Sequence, residues 1–233
     1  MNDIKEACNN AINEHMHILN ALDQIMASTG EHPEGNCFYI DGHRNMIAKT
    51  FATKRYNLFD QAVSANNILE IGFNGGHSCF LYLIANPTSK IQLFDLGEHK
   101  YSEICFQYLS NLFPGRLSIV WGDSTKTLTK FQSSIHYDLI HIDGGHTQEI
   151  LLSDMDNSIR LANTDTNILI DDISFHPNHM IQCLTSVVVE KLISGELINH
   201  NMAFYSTYHV LVRANKEYTG VEELCEHGLP YIP

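Results

Sequence analysis

The sequence predicts an α/β fold, a mostly parallel sheet covered by helices on both faces. Two observations carry that reading. Short apolar runs alternate with amphipathic helical stretches from about residue 67 to 170, and 233 residues with 44% apolar content suffice for one such core. A third is the glycine-rich strand-to-helix turn Glu70-Ile71-Gly72-Phe73-Asn74-Gly75-Gly76, which directly follows an apolar run.

Taken in order, residues from about Ile4 to Met26 place apolar side chains three and four apart, the spacing of one amphipathic helix. Gly30, Pro33, Gly35 and Gly42 break the pattern between Ser28 and Arg44, a loop able to fold over a ligand as a lid. A second amphipathic segment runs from roughly Asn45 to Ser64. Strands are then expected at Asn67–Ile71, Lys90–Phe94, Leu117–Trp121, Tyr137–Ile142 and Asn167–Ile170. Helices are expected between them at Gly76–Ala85, Tyr101–Leu112 and Ser124–Phe131, and around Leu151–Ala162. A last helix spans about Asn178 to Ile193. Two β-rich runs follow, Leu197–Tyr205 and Tyr208–Arg213, separated only by Ser206-Thr207, too short a link for a crossover, so they should pair antiparallel. A small helix is expected near Val221–Glu226. The domain reading is a helical extension and lid over 1–64, a main domain over 65–214 and a tail over 215–233.

Formal charge is 14 − 27 = −13, which disfavours a nucleic-acid partner and points to a small molecule. The six cysteines are scattered without a Cys-x-x-Cys pair, so reduced structural thiols are expected. The N-terminus lacks a basic stretch followed by an apolar one, and no 18-residue apolar window occurs; a cytoplasmic protein without a membrane partner is the expectation. Histidine is abundant, at 14 residues.

Three motifs can carry chemistry. In Glu70-x-Gly72-x-x-Gly75-Gly76 the glycines let backbone approach a ligand, and an acid stands where a dinucleotide fingerprint has its first glycine. Glu70 repels a pyrophosphate and attracts a cationic amino group. Asp95 ends the second strand about 20 residues on, the distance at which an acid commonly accepts from ribose hydroxyls; a helix cap is its alternative. Asp123, before Ser124, suits an adenine contact or a helix cap equally well. The acidic motifs Ile142-Asp143-Gly144-Gly145-His146 and Ile170-Asp171-Asp172-Ile173 both follow apolar strands, whose carboxyl ends converge on one crevice where carboxylates can hold a divalent ion.

This order of motifs resembles the class I S-adenosylmethionine-dependent methyltransferases from about Ile68 to Arg213, most closely their metal-dependent O-methyltransferase branch of catechol and macrocin-type sugar enzymes. The resemblance implies a Rossmann-like doubly wound sheet of seven strands in order 3-2-1-4-5-7-6, strand 7 antiparallel. It implies S-adenosylmethionine held by Glu70, Gly72, Asn74, Gly75, Asp95, Asp123, Ser124 and Asp143. Mg²⁺ or another divalent ion is implied at Asp143, Asp171 and Asp172. His146, beside Asp143 as its catalytic partner, takes the position of the branch's general base, and a histidine's ordinary pKa suits that task. His77, His141, His176 and His179 are expected near the rim in structural or substrate-contact roles. The implied acceptor is a small hydroxylated molecule such as a sugar or catechol-like diol, chosen by Tyr39, Asp41, His43, Arg44 and the segment after Asp172. The Asn/Asp-Pro-Pro-aromatic motif of nucleobase methylation is absent after strand 4. A nicotinamide oxidoreductase and a non-catalytic cofactor-binding protein are the competing readings, and a homo-oligomer is left open.

Overall fold

The computed structural model describes residues 2–32, 34–40, 47–173, 182–199 and 209–218. Asp41, His43, Arg44, His176 and His179, most of the first run of the closing hairpin, and the small helix expected near Val221–Glu226 lie outside them.

Seven strands form one sheet: β1 (Asn67–Ile71), β2 (Lys90–Asp95), β3 (Leu117–Trp121), β4 (Leu139–Ile142), β5 (Asn167–Ile170), β6 (Leu197–Asn199) and β7 (Val210–Ala214). Their spatial order is β3-β2-β1-β4-β5-β7-β6. The first five are parallel, and β7 runs antiparallel to both β5 and β6. The expected hairpin pairing is therefore present.

Helices cover both faces because strand residues alternate. Ile68, Leu139, Leu169 and Leu211 face one way, into a core shared with α1 (Asn2–Glu14), α2 (Met16–Ser28), α3 (Ala52–Val63), α4 (His77–Ala85) and α5 (Lys100–Leu112). Leu69, Ile140, Ile168 and Val210 face the other way, against α6 (Ser124–Lys130), α7 (Gln148–Leu161) and α8 (Gln182–Ile193). Glu70, His141, Asp171 and His209 belong to the first face. They form a polar row at the carboxyl end of an otherwise apolar surface.

The N-terminal segment differs from the single helix expected. It breaks at His15, whose backbone leaves the helical region at φ −105° and ψ 18° and whose Nδ1 lies 2.9 Å from the Ala11 carbonyl. The His15 backbone N–H still donates to the same carbonyl (3.1 Å), so the last turn of α1 is closed before the chain bends. The second amphipathic segment is a 3₁₀ turn, Lys49–Phe51, before α3 proper. Residues 34–40 of the expected lid are packed down. Phe38 is fully buried, and Arg55 from α3 donates Nη1 to the Cys37 carbonyl (2.8 Å) and Nη2 to the Ala48 carbonyl (3.0 Å). Its guanidinium also lies 5.3 Å from the Phe38 ring centre.

Arg55→Leu strips two buried carbonyls of charged donors, and it is expected to cost about 2–4 kcal/mol in urea unfolding. Amide exchange should accelerate at residues 36–40 while the strands stay protected. Equal stability of the variant would show that this tie carries nothing.

Candidate active site

The glycine turn starts where β1 ends. Gly72 has φ +97°, and a Cβ there would lie 1.9 Å from the Asp143 carbonyl oxygen, so only glycine lets the β1 and β4 ends approach this closely. Asn74 also adopts positive φ, at 51°. Asp95, across on β2, organises the turn. Its Oδ2 accepts from the backbone N–H of Phe73 (2.9 Å) and Asn74 (2.7 Å), and its Oδ1 from that of Gly97 (2.7 Å). The Asn74 amide donates to the carbonyls of Glu34 (2.7 Å) and Gly35 (3.1 Å) and accepts from the Tyr101 hydroxyl (2.7 Å). The N-terminal segment is thereby clasped onto the turn.

Beside this turn opens a crevice of about 980 Å³, lined among others by Gly72, Asn74, Gly75, Asp95, Asp123, Ser124, Asp143, His146 and Asp172. Most residues expected to hold the cofactor thus line one crevice. Asp123 caps α6, accepting from Thr125 N–H (3.0 Å) and pairing with Lys126 Nζ (2.8 Å), and Lys126 and Thr125 hold its carboxyl down to about 2. Of its two expected roles, the structure displays the cap.

Glu70 requires a correction. Its side chain is fully buried below the crevice, and Oε1 lies 3.1 Å from His141 Nδ1, its register partner on β4. The expected place of Glu70 against the cofactor is not what the structure displays: its carboxylate faces an imidazole and does not line the crevice. His141, expected at the rim, is likewise wholly buried, with its Nε2 3.9 Å from Asp171 Oδ2. Burial works against its cation, but hydrogen bonding to Glu70 and the charges of Asp143 and Asp171 leave its pKa raised. His77 is structural too, packed beside Phe38 and Tyr39 with Nε2 3.3 Å from Asp23 Oδ1.

The aspartate trio divides. Atoms able to bind metal on Asp143, His146 and Asp172 lie within 4.8 Å of one another, whereas Asp171 groups instead with His141 and His209. Asp171 points into the protein. Its side chain is 1% exposed, it is ion-paired with the Lys54 ammonium, and its Oδ1 lies 3.2 Å from His209 Nε2 and accepts from Asp172 N–H (2.7 Å). The expected three-carboxylate magnesium site is therefore not assembled, because a lysine from α3 has taken the first aspartate after β5. Burial opposes ionisation of Asp171, yet Lys54 and His209 hold its carboxyl below the ordinary range. Asp143 goes the other way, pushed to about 7 by burial and by the Asp171 charge.

Asp172 has φ +56°, a left-handed conformation that a non-glycine residue adopts at some cost. The turn aims Oδ2 at His146 Nε2, 2.6 Å away, on a histidine side chain that is 59% exposed to the crevice mouth. Sequence reasoning passed over Lys54, His209, Arg55 and Asp23. The signal for two of them was present: Lys54 and Arg55 fall at helical spacing with Leu58, Phe59 and Ala62 on the buried side of α3.

Cys8, Cys37, Cys79 and Cys105 are buried and free. Burial pushes the thiols of Cys8, Cys37 and Cys105 up to about 12, away from nucleophilic use. No helix among the described residues is long and apolar enough to cross a membrane.

Residues 69–173 match the family model described as a methyltransferase domain. Solved structures share the architecture at low identity. An O-methyltransferase from Bacillus cereus in complex with SAH aligns with TM-score 0.62 and 14% identity, over 85% of this chain and 91% of that one. The SAH-bound Podospora anserina methyltransferase PaMTH1 gives 0.61 and 14%, over 84% and 88%. The O-methyltransferase TomG from Streptomyces achromogenes, involved in tomaymycin synthesis and solved with SAM, gives 0.60 and 13%, over 84% and 89%. No curated protein sequence matches the chain. The chain thus shares the fold of these solved methyltransferases, and residues 69–173, which span β1 to β5, are the part similar to the methyltransferase-domain model.

Proposed function

We propose that this protein transfers a methyl group from S-adenosylmethionine to a hydroxyl oxygen of a small acceptor, a sugar or catechol-like diol. The single observation behind this reading is the convergence, in one acidic crevice, of the Gly72 turn and the His146–Asp172 pair. Seven acidic side chains line the crevice, an environment that favours a sulfonium carrying an amino group and disfavours a phosphate-rich cofactor. Its volume, near 980 Å³, accommodates such a cofactor with a small acceptor beside it. A reducing, cytoplasmic setting agrees with the buried free thiols.

In this reading Gly72, Asn74, Gly75 and Ser124 present backbone to the cofactor, with Asp95 on the ribose side and Asp123 on the adenine side. Glu70 acts at one remove, by fixing His141. His146 is the general base. With Nε2–H donated to Asp172, its Nδ1 lone pair is left to take the acceptor's proton as the oxygen attacks the methyl carbon and the carbon–sulfur bond breaks. S-adenosylhomocysteine and the methyl ether leave. The magnesium expected of Asp143, Asp171 and Asp172 does not fit, since Asp171 is engaged by Lys54.

Thermal unfolding should rise by several degrees with S-adenosylhomocysteine and stay unchanged with NAD; the reverse result would sink the cofactor reading. Gly72→Ala is expected to abolish that response, because its methyl meets the Asp143 carbonyl.

Hydrogen bonding to Asp172 and the nearby carboxylates raise the His146 pKa above its ordinary value. The base is therefore freed at higher pH than in an unperturbed histidine, and the acid limb of the rate should be shifted upward. NMR titration of His146 should show this raised value, falling towards about 6.5 in Asp172→Asn. An unmoved titration would remove Asp172 from the role.

A further inference from the structure

The acidic crevice contains a cation of its own. Among the described residues, Lys54 is the one Lys or Arg side chain lining it, opposite seven acidic ones. Its side chain is 12% exposed, and its ammonium pairs with an Asp171 carboxylate that is 1% exposed. Asp171 is further fixed by His209 at 3.2 Å and by the Asp172 N–H at 2.7 Å. Glu70, His141, Asp171 and His209 thus make one buried row across β1, β4, β5 and the start of β7, with Lys54 above it from α3. An ammonium has three donors and a single charge, so it can balance Asp171 while keeping donors on the crevice side. A divalent ion drawing on Asp171 would have to break this buried pair and expel the lysine. Asp143, Asp172 and His146 then remain for an ion, and two of these are already paired at 2.6 Å.

We propose that Lys54 is the resident cation of this crevice: its ammonium takes the place at Asp171 that the resemblance gives to a divalent ion, and supplies positive charge beside the acceptor oxygen. It deepens the methyl-transfer reading, on which the acceptor part rests. The place of Lys54 at Asp171 is testable without any acceptor.

Mn²⁺ titrations followed by electron paramagnetic resonance on the full chain provide the test. The wild type is expected to bind Mn²⁺ no tighter than about millimolar, and Lys54→Met to bind it at least about tenfold tighter, because Asp171 becomes an available ligand. Adding Asp171→Asn to Lys54→Met should cancel the gain, and Lys54→Arg, which keeps a cation on Asp171, should show none. Asp171→Asn alone should leave the weak wild-type binding unchanged, and this arm decides the matter if Lys54→Met does not fold. Micromolar Mn²⁺ binding by the wild type that Asp171→Asn removes, or an unchanged affinity in folded Lys54→Met, overturns the proposal. Parallel melting with S-adenosylhomocysteine keeps the two readings distinct: no wild-type response counts against methyl transfer and leaves the Mn²⁺ comparison standing.

Discussion

The ion pair between Lys54 and Asp171 is the contact around which the carboxyl end of the sheet is arranged. It joins α3 to the strand ends on the face occupied by Glu70, His141 and His209, all of them almost wholly buried. Charges removed from water to this degree persist only when each meets a partner. Glu70 meets His141, and Asp171 meets Lys54 and His209, the last of which burial holds towards its neutral form. The apolar remainder of that face, from Ile68 through Leu211, keeps water from dissolving the arrangement.

A second constraint follows from the close approach of β1 to β4. Gly72 leaves no room for a side chain against the Asp143 backbone, so the glycine turn and the first acidic motif share one wall. Asp95 fastens that turn through three backbone N–H groups, and Asn74 ties it to residues 34 and 35. The crevice wall and residues 34–35 are consequently tied together on this side. Arg55, adjacent to Lys54 on α3, holds the same segment from behind. One turn of helix thus anchors both the segment beside the crevice and the charge inside it.

Much of the site's location was legible in the sequence, and less of its wiring. Gly72, Asp143, His146 and Asp172 stand at strand ends that any parallel sheet brings together, so their neighbourhood follows from order along the chain. Neighbouring residues cannot be resolved in this way. Asp171 and Asp172 are adjacent and chemically identical, yet one faces a buried lysine and the other the crevice, because strand alternation and the left-handed turn at Asp172 send them apart. Glu70 resembled a ligand contact for the same reason. Its motif is visible, but its pairing with His141 depends on the register of β1 against β4.

Local order in the chain determined the alternation of strands and helices, the glycine turn, the closing hairpin and the acidic overall charge, since these depend on period, turn chemistry and composition. Tertiary structure alone decided which carboxylates meet and what neutralises them. That choice depends on strand register and on a lysine more than one hundred residues away from Asp171, a separation across which sequence pattern carries no distance information.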